Sequence, residues 1–349
     1  MSMIRRLSHR AFFNQKSYIF MLMIGPYQLP NPVVLAPMAG VTDLPFRQLC
    51  RRLGAGLVVG EMVSSNPKLR NTRKSQLRLN HDGEPEPIAV QIAGGDPESM
   101  AAAAIFNVGN GAQIIDINMG CPAKKVCNKA AGSALMKDEV LVSEILHAVV
   151  EAVDVPVSLK MRTGWAPEHK NAPKIAEIAE QAGIVSLAVH GRTRDCGYSG
   201  EVEYHTIRDI KQQAGIPIFA NGDITSALKA AEVMDFTGAD GVLIGRAAQG
   251  QPWIFKQVAH YLATGELIEA PDWSEIETIL LEHIAGLYTF YGDYLGVRIA
   301  RKHVSWYLQT HSEGLAFRKD FNRLETSAEQ VQAIRLFFKD KILNKGIAA

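Results

Sequence analysis

From residue 33 to residue 244 the chain repeats one alternation, and nothing else constrains its fold as tightly. Short, largely β-branched runs are separated by longer segments of helical period. The runs are Val33–Ala36, Leu57–Val59, Ile88–Ile92, Ile114–Ile117, Val155–Lys160, Ser186–Val189, Ile216–Ala220 and Gly241–Ile244. Each is mostly apolar rather than alternating, as parallel strands buried on both faces should be. Between them Pro97–Val108, Asp138–Val153, Asn171–Gln181 and Thr225–Met234 read as amphipathic helices, the second with Val140, Ile145, Val149 and Val150 apolar. Eight strands with intervening helices predict a (β/α)₈ barrel. A doubly wound sheet would want G-x-G-x-x-G after its first strand, and Pro37-Met38-Ala39-Gly40 stands there instead.

After Trp253 the β-type runs cease, and segments 274–291, 296–311 and 325–344 read as helices. In the first, Ile276, Ile279, Leu280, His283 and Leu287 share a face. The expected organisation is an N-terminal extension over 1–23, a barrel over 24–253 and a helical domain over 254–349. The join falls near Gly250–Pro252 or at the Thr264-Gly265 turn. Residues 1–20 carry Arg5, Arg6, Arg10 and Lys16, and no acid precedes Asp43. Such a start imitates a transit peptide, but a poorly ordered extension, or a true start at Met21 or Met23, fits it better.

Composition excludes several classes. The 349 residues are 47% hydrophobic and 21% charged, enough apolar material for a large core and too much for a disordered chain. The apolar stretch Ile19 to Ile24 is far shorter than the ~20 residues of a membrane span. Cys50, Cys121, Cys127 and Cys196 form no C-x-x-C pair, which argues against a metal site and a disulfide framework and suits a reducing cytoplasm. The net charge of +1 announces no polyanion, yet the C-terminal third is polarised. Residues 257–297 hold seven acids and no Lys or Arg, whereas 298–345 hold ten bases against five acids. Solvated helix faces account for this pattern, and so does a basic face for a polyanion.

A barrel places its chemistry at the carboxyl ends of its strands. There the sequence sets Pro37-Met38-Ala39-Gly40, Gln91, Asn118-Met119-Gly120-Cys121-Pro122, Lys160-Met161-Arg162, His190-Gly191-Arg192, Asn221-Gly222-Asp223 and Gly245-Arg246. Loops after strands seven and eight often bind phosphate. Gly222 and Gly245 would let backbone N–H groups approach an anion, and Arg246 would supply a fork. Lys160 ends an apolar strand, where an unpaired charge is costly. It should face a negative ligand atom or pair with a barrel acid such as Glu61 or Asp116. Cys121, between Gly120 and Pro122 in a loop rather than a core strand, has the setting of a working acid or nucleophile.

Long, ordered motifs carry a resemblance. Leu35-Ala36-Pro37-Met38-Ala39-Gly40-Val41-Thr42-Asp43 and Asp116-Ile117-Asn118-Met119-Gly120-Cys121-Pro122 resemble the tRNA-dihydrouridine synthases. So do Lys160-Met161-Arg162-Thr163-Gly164-Trp165, His190-Gly191-Arg192-Thr193 and Ala220-Asn221-Gly222-Asp223. Gln91-Ile92-Ala93-Gly94 and the stretch Arg301 to Tyr307 are similar to the bacterial B-type branch. The resemblance implies an FMN enzyme that uses NADPH, or NADH, to reduce the C5=C6 bond of a uridine in the D-loop of tRNA. Hydride would pass from flavin N5 to C6 and a proton from Cys121 to C5. It further implies that Pro37, Met38, Ala39, Gln91, Lys160 and His190 line the flavin. Asn221, Gly222, Asp223, Gly245 and Arg246 would hold its ribityl and phosphate groups. Asn118 and Arg162 would meet the substrate, and Arg298, Arg301, Lys302 and Lys319 would grip tRNA phosphates. A monomer without metal or membrane attachment is expected. FMN rests on the resemblance alone, since a phosphate loop and a lysine suit many ligands. A small-molecule FMN reductase on the same barrel is the competing reading, and it needs no basic helical domain.

Overall fold

A computed structural model describes residues 22–128, 131–309 and 314–345. Its centre is a parallel sheet running Leu57–Val58, Val33–Leu35, Gly241–Ile244, Ile218–Asn221, Ser186–His190, Val157–Arg162, Ile114–Met119, Ala89–Ala93 and Val63–Ser64. The first and last of these are two halves of one stave, and a parallel bridge from Val59 to Ala89 closes the ring. The alternation therefore does build a (β/α)₈ barrel.

Successive side chains on a strand face opposite ways, and the barrel sorts them into two cores. Val157, Leu159 and Met161 join the outer core beneath the helices, with Ile115, Ile117 and Met119 from the neighbouring stave. Val34, Ala36, Leu57, Val59, Ala89, Ile114, Ala188, Phe219 and Leu243 fill the barrel interior. Toward the carboxyl ends the inward positions turn polar: Gln91 pairs in register with Asp116, Asn118 with Lys160, and Arg162 with His190. This switch from apolar to polar along each stave makes one end of the barrel a floor and the other a site.

Local signals set the boundaries. Asp96, Asp138 and Ser226 each cap a helix by accepting the backbone N–H three residues on, for Pro97–Val108, Glu139–Glu151 and Ala227–Thr237. Two staves begin two residues later than the apolar runs suggest, at Val157 and Ile218. Val155-Pro156 and Ile216-Pro217 supply that delay, because proline has no N–H to give a ladder and is confined to strand entries. The opposite end of Val157–Arg162 runs past Lys160 and stays paired through Arg162.

The chain's start needs one correction. Residues 1–21 lie outside the described residues, but Leu22 and Met23, expected in the extension, belong to the fold. Met23–Ile24 pairs with Tyr27–Gln28 in a hairpin, and Leu22, Ile24 and Leu29 are buried against the barrel interior. The hairpin stops the amino-terminal end of the barrel.

At the other end, Ile254–Thr264 packs on the barrel through Ile254, Phe255 and Val258. Ile254–Thr264 thus shares the barrel's core, and the Thr264-Gly265 turn, one of the two expected joins, follows it. Helices Trp273–Tyr291, Asp293–Tyr307, Gly314–Phe321 and Ser327–Lys345 then enclose a core of their own, built on Leu280, Ile284, Leu287, Ala300, Val304, Phe321, Ile334 and Phe338. The helix expected over 296–311 spans Asp293–Tyr307, and Thr310 and His311 lie outside the described residues. Phe46, fully buried on the barrel helix Leu44–Arg52, stacks on His283 at 5.3 Å and lies 5.9 Å from His303. Burial keeps both imidazoles well below their usual pKa and therefore neutral. Among the described residues no helix is long and apolar enough to cross a membrane.

Candidate active site

A cavity of about 830 Å³ opens on the carboxyl rim of the barrel. Its walls include Pro37, Met38, Ala39, Gln91, Asn118, Cys121, Lys160, Arg162, His190, Asn221, Gly222, Asp223, Gly245 and Arg246. Every barrel residue singled out from the sequence therefore meets the others at one site. Arg298, Arg301 and Lys302 do not line it.

A chain of hydrogen bonds crosses the floor. Ser158 Oγ donates to Asp116 Oδ1 at 2.7 Å, and Gln91 Nε2 donates to Asp116 Oδ2 at 2.7 Å. Asn118 Nδ2 donates to Gln91 Oε1 at 2.7 Å, and Asn118 Oδ1 accepts from the N–H groups of Gly120 and Cys121. Both oxygens of Asp116 are thus occupied, although burial raises its pKa. The chain fixes the Gln91 and Asn118 amides and seats the Cys121 loop.

Lys160 stands on this floor. Its Nζ donates to Asn221 Oδ1 at 3.0 Å, and Asn221 Nδ2 in turn donates to the Leu243 carbonyl. Neither Glu61 nor Asp116 forms an ion pair with it, though the Asp116 charge partly offsets the cost of its burial. Burial, reinforced by Arg162, brings the Lys160 pKa down to about 8. A half-buried cation served by one neutral amide is short of anionic company, so a ligand's negative edge would raise that pKa and be held by it.

The Cys121 loop is secured by its backbone. Arg162 Nε donates to the Gly120 carbonyl at 2.7 Å, and Ser133 Oγ donates to the Cys121 carbonyl at 2.8 Å. The thiol is half-buried, and burial pushes its pKa up, so it stays protonated near neutrality. Arg162, expected to meet substrate, also staples the next loop, with Nη1 on the carbonyls of Thr193 and Gly197. His190 is held neutral by burial and by Lys160, Arg162, Arg192 and Arg246 around it, so its chemistry is that of an uncharged imidazole.

At the seventh and eighth loops, Gly222 adopts φ +126°, and an added Cβ would lie 2.8 Å from Val202. Only glycine fits. Asp223 has φ 43°, the one positive φ outside glycine among the described residues. It accepts two bonds from the buried Arg192, at 3.2 and 2.6 Å, and one from Arg246 at 2.7 Å. The two guanidinium groups hold its carboxyl below the usual range. Asp223 is therefore the anchor that aims Arg246, which is half exposed at the mouth.

The loop Pro37–Asp43 is gripped from several sides. Gly40 N–H donates to Glu61 Oε1 at 2.5 Å, and Arg78 Nη2 donates to the same oxygen. Lys302 Nζ donates to the Gly40 carbonyl, and Tyr291 Oη donates to Asp43 Oδ2 at 3.0 Å. Of the residues expected at tRNA phosphates, Lys302 reaches this loop, Arg301 Nη2 donates to the Leu324 carbonyl, and Arg298, beside the ring of Tyr294, and Lys319 are exposed.

Sequence reasoning missed several residues of the site. Ser158 is a polar position inside an apolar run, a signal that was available, and Asp116, considered only as a partner for Lys160, instead orders the Gln91 amide. Arg192 follows His190 but was given no role. Tyr198, with Arg162 and Arg246 5.5 and 4.9 Å from its ring, sits in a loop whose path no periodicity reveals. Gln309 reaches the cavity from the helical region.

Comparison with known proteins agrees with this geometry. Residues 34–343 match the family described as Dihydrouridine synthase (Dus). The chain is 65% identical over 318 residues to tRNA-dihydrouridine synthase B of Pseudomonas putida, covering 91% of this chain and 94% of that one. It is 56% identical over 324 residues to the protein of the same name from Serratia marcescens, covering 93% and 97%. Among solved structures, a 2-naphthoyl-CoA reductase complex superposes with TM-score 0.55 over 68% of this chain and 51% of that one, at 12% identity, a likeness of fold alone. A family match over nearly the whole barrel and the helices beyond it settles the assignment: the chain belongs to the dihydrouridine synthase family.

Proposed function

We propose that this protein reduces the C5=C6 bond of a uridine in the D-loop of tRNA, with FMN bound in the barrel mouth, NADPH or NADH as reductant, and Cys121 as proton donor. The observation that carries the reading is the convergence, in one cavity of a dihydrouridine synthase barrel, of an underpaired, half-buried lysine and a protonated thiol. Its relatives' name supplies the substrate.

The residues present suit FMN. Lys160 offers a cation to the electron-rich edge of a flavin, Gln91 and Asn221 offer oriented amides, and Gly222 and Gly245 leave backbone open beside Arg246. The volume of about 830 Å³ lies within the range of roughly 300–1,000 Å³ typical of ligand pockets. When bound, FMN supplies the hydride. The chain's own part is to place the uracil and to complete the reduction. Negative charge develops at C5 and O4 of the enone, and a neutral thiol on a rigid loop is suited to protonate C5. The site is recessed, so the nucleotide must leave its stack to enter. The scattered free cysteines fit a cytoplasmic setting.

The test is direct. Purified protein is incubated with unmodified tRNA, FMN and NADPH, and the tRNA is digested and analysed for dihydrouridine. Formation of dihydrouridine that depends on both FMN and a reduced nicotinamide supports the reading. NADPH oxidation without any dihydrouridine would refute it.

A further inference from the structure

Between Glu61 and Asp82 the chain carries Lys68, Arg70, Arg73, Lys74 and Arg78 and no acidic residue. The segment follows Val63–Ser64, whose partners are Ile92 and Ala93 at the carboxyl end of Ala89–Ala93, so it stands on the rim that holds the cavity. It folds as a short turn, Pro67–Leu69, and a six-residue helix, Arg73–Arg78, capped by Asn66 and Thr72.

Its five cations divide into two kinds. Arg70 and Arg78 are fasteners. Arg70 Nη2 donates to the Ala102 carbonyl at 3.2 Å, with its guanidinium 4.6 Å from the Phe106 ring. Arg78 donates to Glu61 and, at 2.8 Å, to the carbonyl of Met62, a residue of the cavity wall. Lys68, Arg73 and Lys74 are exposed, and among the described residues their side chains have no ion-pair or hydrogen-bond partner. Nothing local explains them. Arg73 and Lys74 occupy the first turn of their helix, where the backbone dipole disfavours cations. Three unpaired cations on a lobe fastened to the wall of the site have the arrangement of an electrostatic platform.

We infer that Lys68, Arg73 and Lys74 form a docking surface on the barrel for the phosphate backbone of the RNA that presents its nucleotide to the cavity. The inference rests on the tRNA reading above. Charge complementarity selects the partner. The lobe offers exposed point charges, which suit a continuous polyanion and carry no sequence information by themselves. Unlike Arg301 and Lys302, which donate to the Leu324 and Gly40 carbonyls, these three cations have no such bond among the described residues. Lys68, Arg73 and Lys74 do not line the cavity, so their loss should weaken binding without altering chemistry.

The experiment uses the full-length FMN-loaded protein and an unmodified tRNA transcript. The triple variant Lys68→Ser, Arg73→Ser, Lys74→Ser is compared with wild type for Kd across a salt series, for KM and kcat, and for NADPH oxidation without tRNA. The salt slope of log Kd should shrink by about 2–3 units, near one unit per lost phosphate contact. Kd and KM for tRNA should rise about tenfold or more at low salt, with kcat and tRNA-free NADPH oxidation unchanged. A second variant, Lys68→Arg, Arg73→Lys, Lys74→Arg, keeps the charge and should bind like wild type. An unchanged Kd and slope in the serine variant overturn the inference, and so does an equal loss in the charge-keeping variant. A wild-type protein that neither binds tRNA nor forms dihydrouridine fails before any variant is compared and overturns the tRNA reading with it.

Discussion

Replacing Cys121 by alanine separates a catalytic thiol from a structural one, because the structure fixes what the change costs elsewhere. The loop around Cys121 is held by Asn118 Oδ1 on two backbone N–H groups, by Arg162 on the Gly120 carbonyl and by Ser133 on the Cys121 carbonyl. None of these bonds uses the sulfur. The side chain is half-buried, so its truncation leaves no sealed cavity, and the stability change should stay within about 1 kcal/mol. Lys160, Asn221 and the two glycine loops are untouched, so FMN should remain bound and its reduction by NADPH should keep a near wild-type rate. Only oxidation of the reduced enzyme by tRNA should slow, by about 10²–10⁴-fold, the usual contribution of a positioned general acid. Serine, a far weaker acid than a thiol, should restore little. Rapid mixing reads each half-reaction separately. If the alanine variant is re-oxidised by tRNA as fast as wild type, Cys121 is not the proton donor.

Other perturbations follow from the same contacts. Arg246→Ala removes a charge-assisted contact worth roughly 1.5–3 kcal/mol when buried; because Arg246 is half exposed and shared with Asp223, about 1 kcal/mol is expected, a roughly fivefold weaker hold on FMN by equilibrium dialysis. An unchanged FMN affinity would place the phosphate elsewhere. Lys302→Met should leave the salt slope of tRNA binding unchanged, since its Nζ is on the Gly40 carbonyl, while loosening FMN; a slope lower by about one unit would return it to the RNA. Burial holds Asp43 up at about 6 against a usual 3.8, so the folded state takes the extra proton and ionised Asp43 costs stability as pH rises through 6. In Asp43→Asn that cost is absent: relative to wild type, unfolding free energy should gain up to about 3 kcal/mol between pH 4 and pH 7, beneath a constant offset from altered capping. A difference that stays flat over this range contradicts the assignment.

What the sequence revealed and what it hid divide along a physical line. Strand and helix order was legible because burial on both faces writes continuous apolar runs, and because Asp96, Asp138 and Ser226 announce helix starts. The cavity was legible because a barrel gathers whatever follows its strands, so Lys160, Cys121 and Gly222 needed no knowledge of the third dimension to be grouped. Side-chain partners follow no such rule. Lys302 and Lys68 look alike in a charge count, yet one reaches a carbonyl some 260 positions away in sequence and the other has no partner among the described residues. Hydrogen bonding across such separations depends on how the helices settle on the barrel, and that is decided by packing at Phe46, His283 and His303. The same packing explains why two imidazoles stay uncharged at a contact whose neighbours include Lys302. It also means that the Pro37–Asp43 loop is completed by the helical region: Tyr291 and Lys302 bond to Asp43 and Gly40, so the part of the chain that reads as an appendage by composition is structurally a part of the cavity's surroundings.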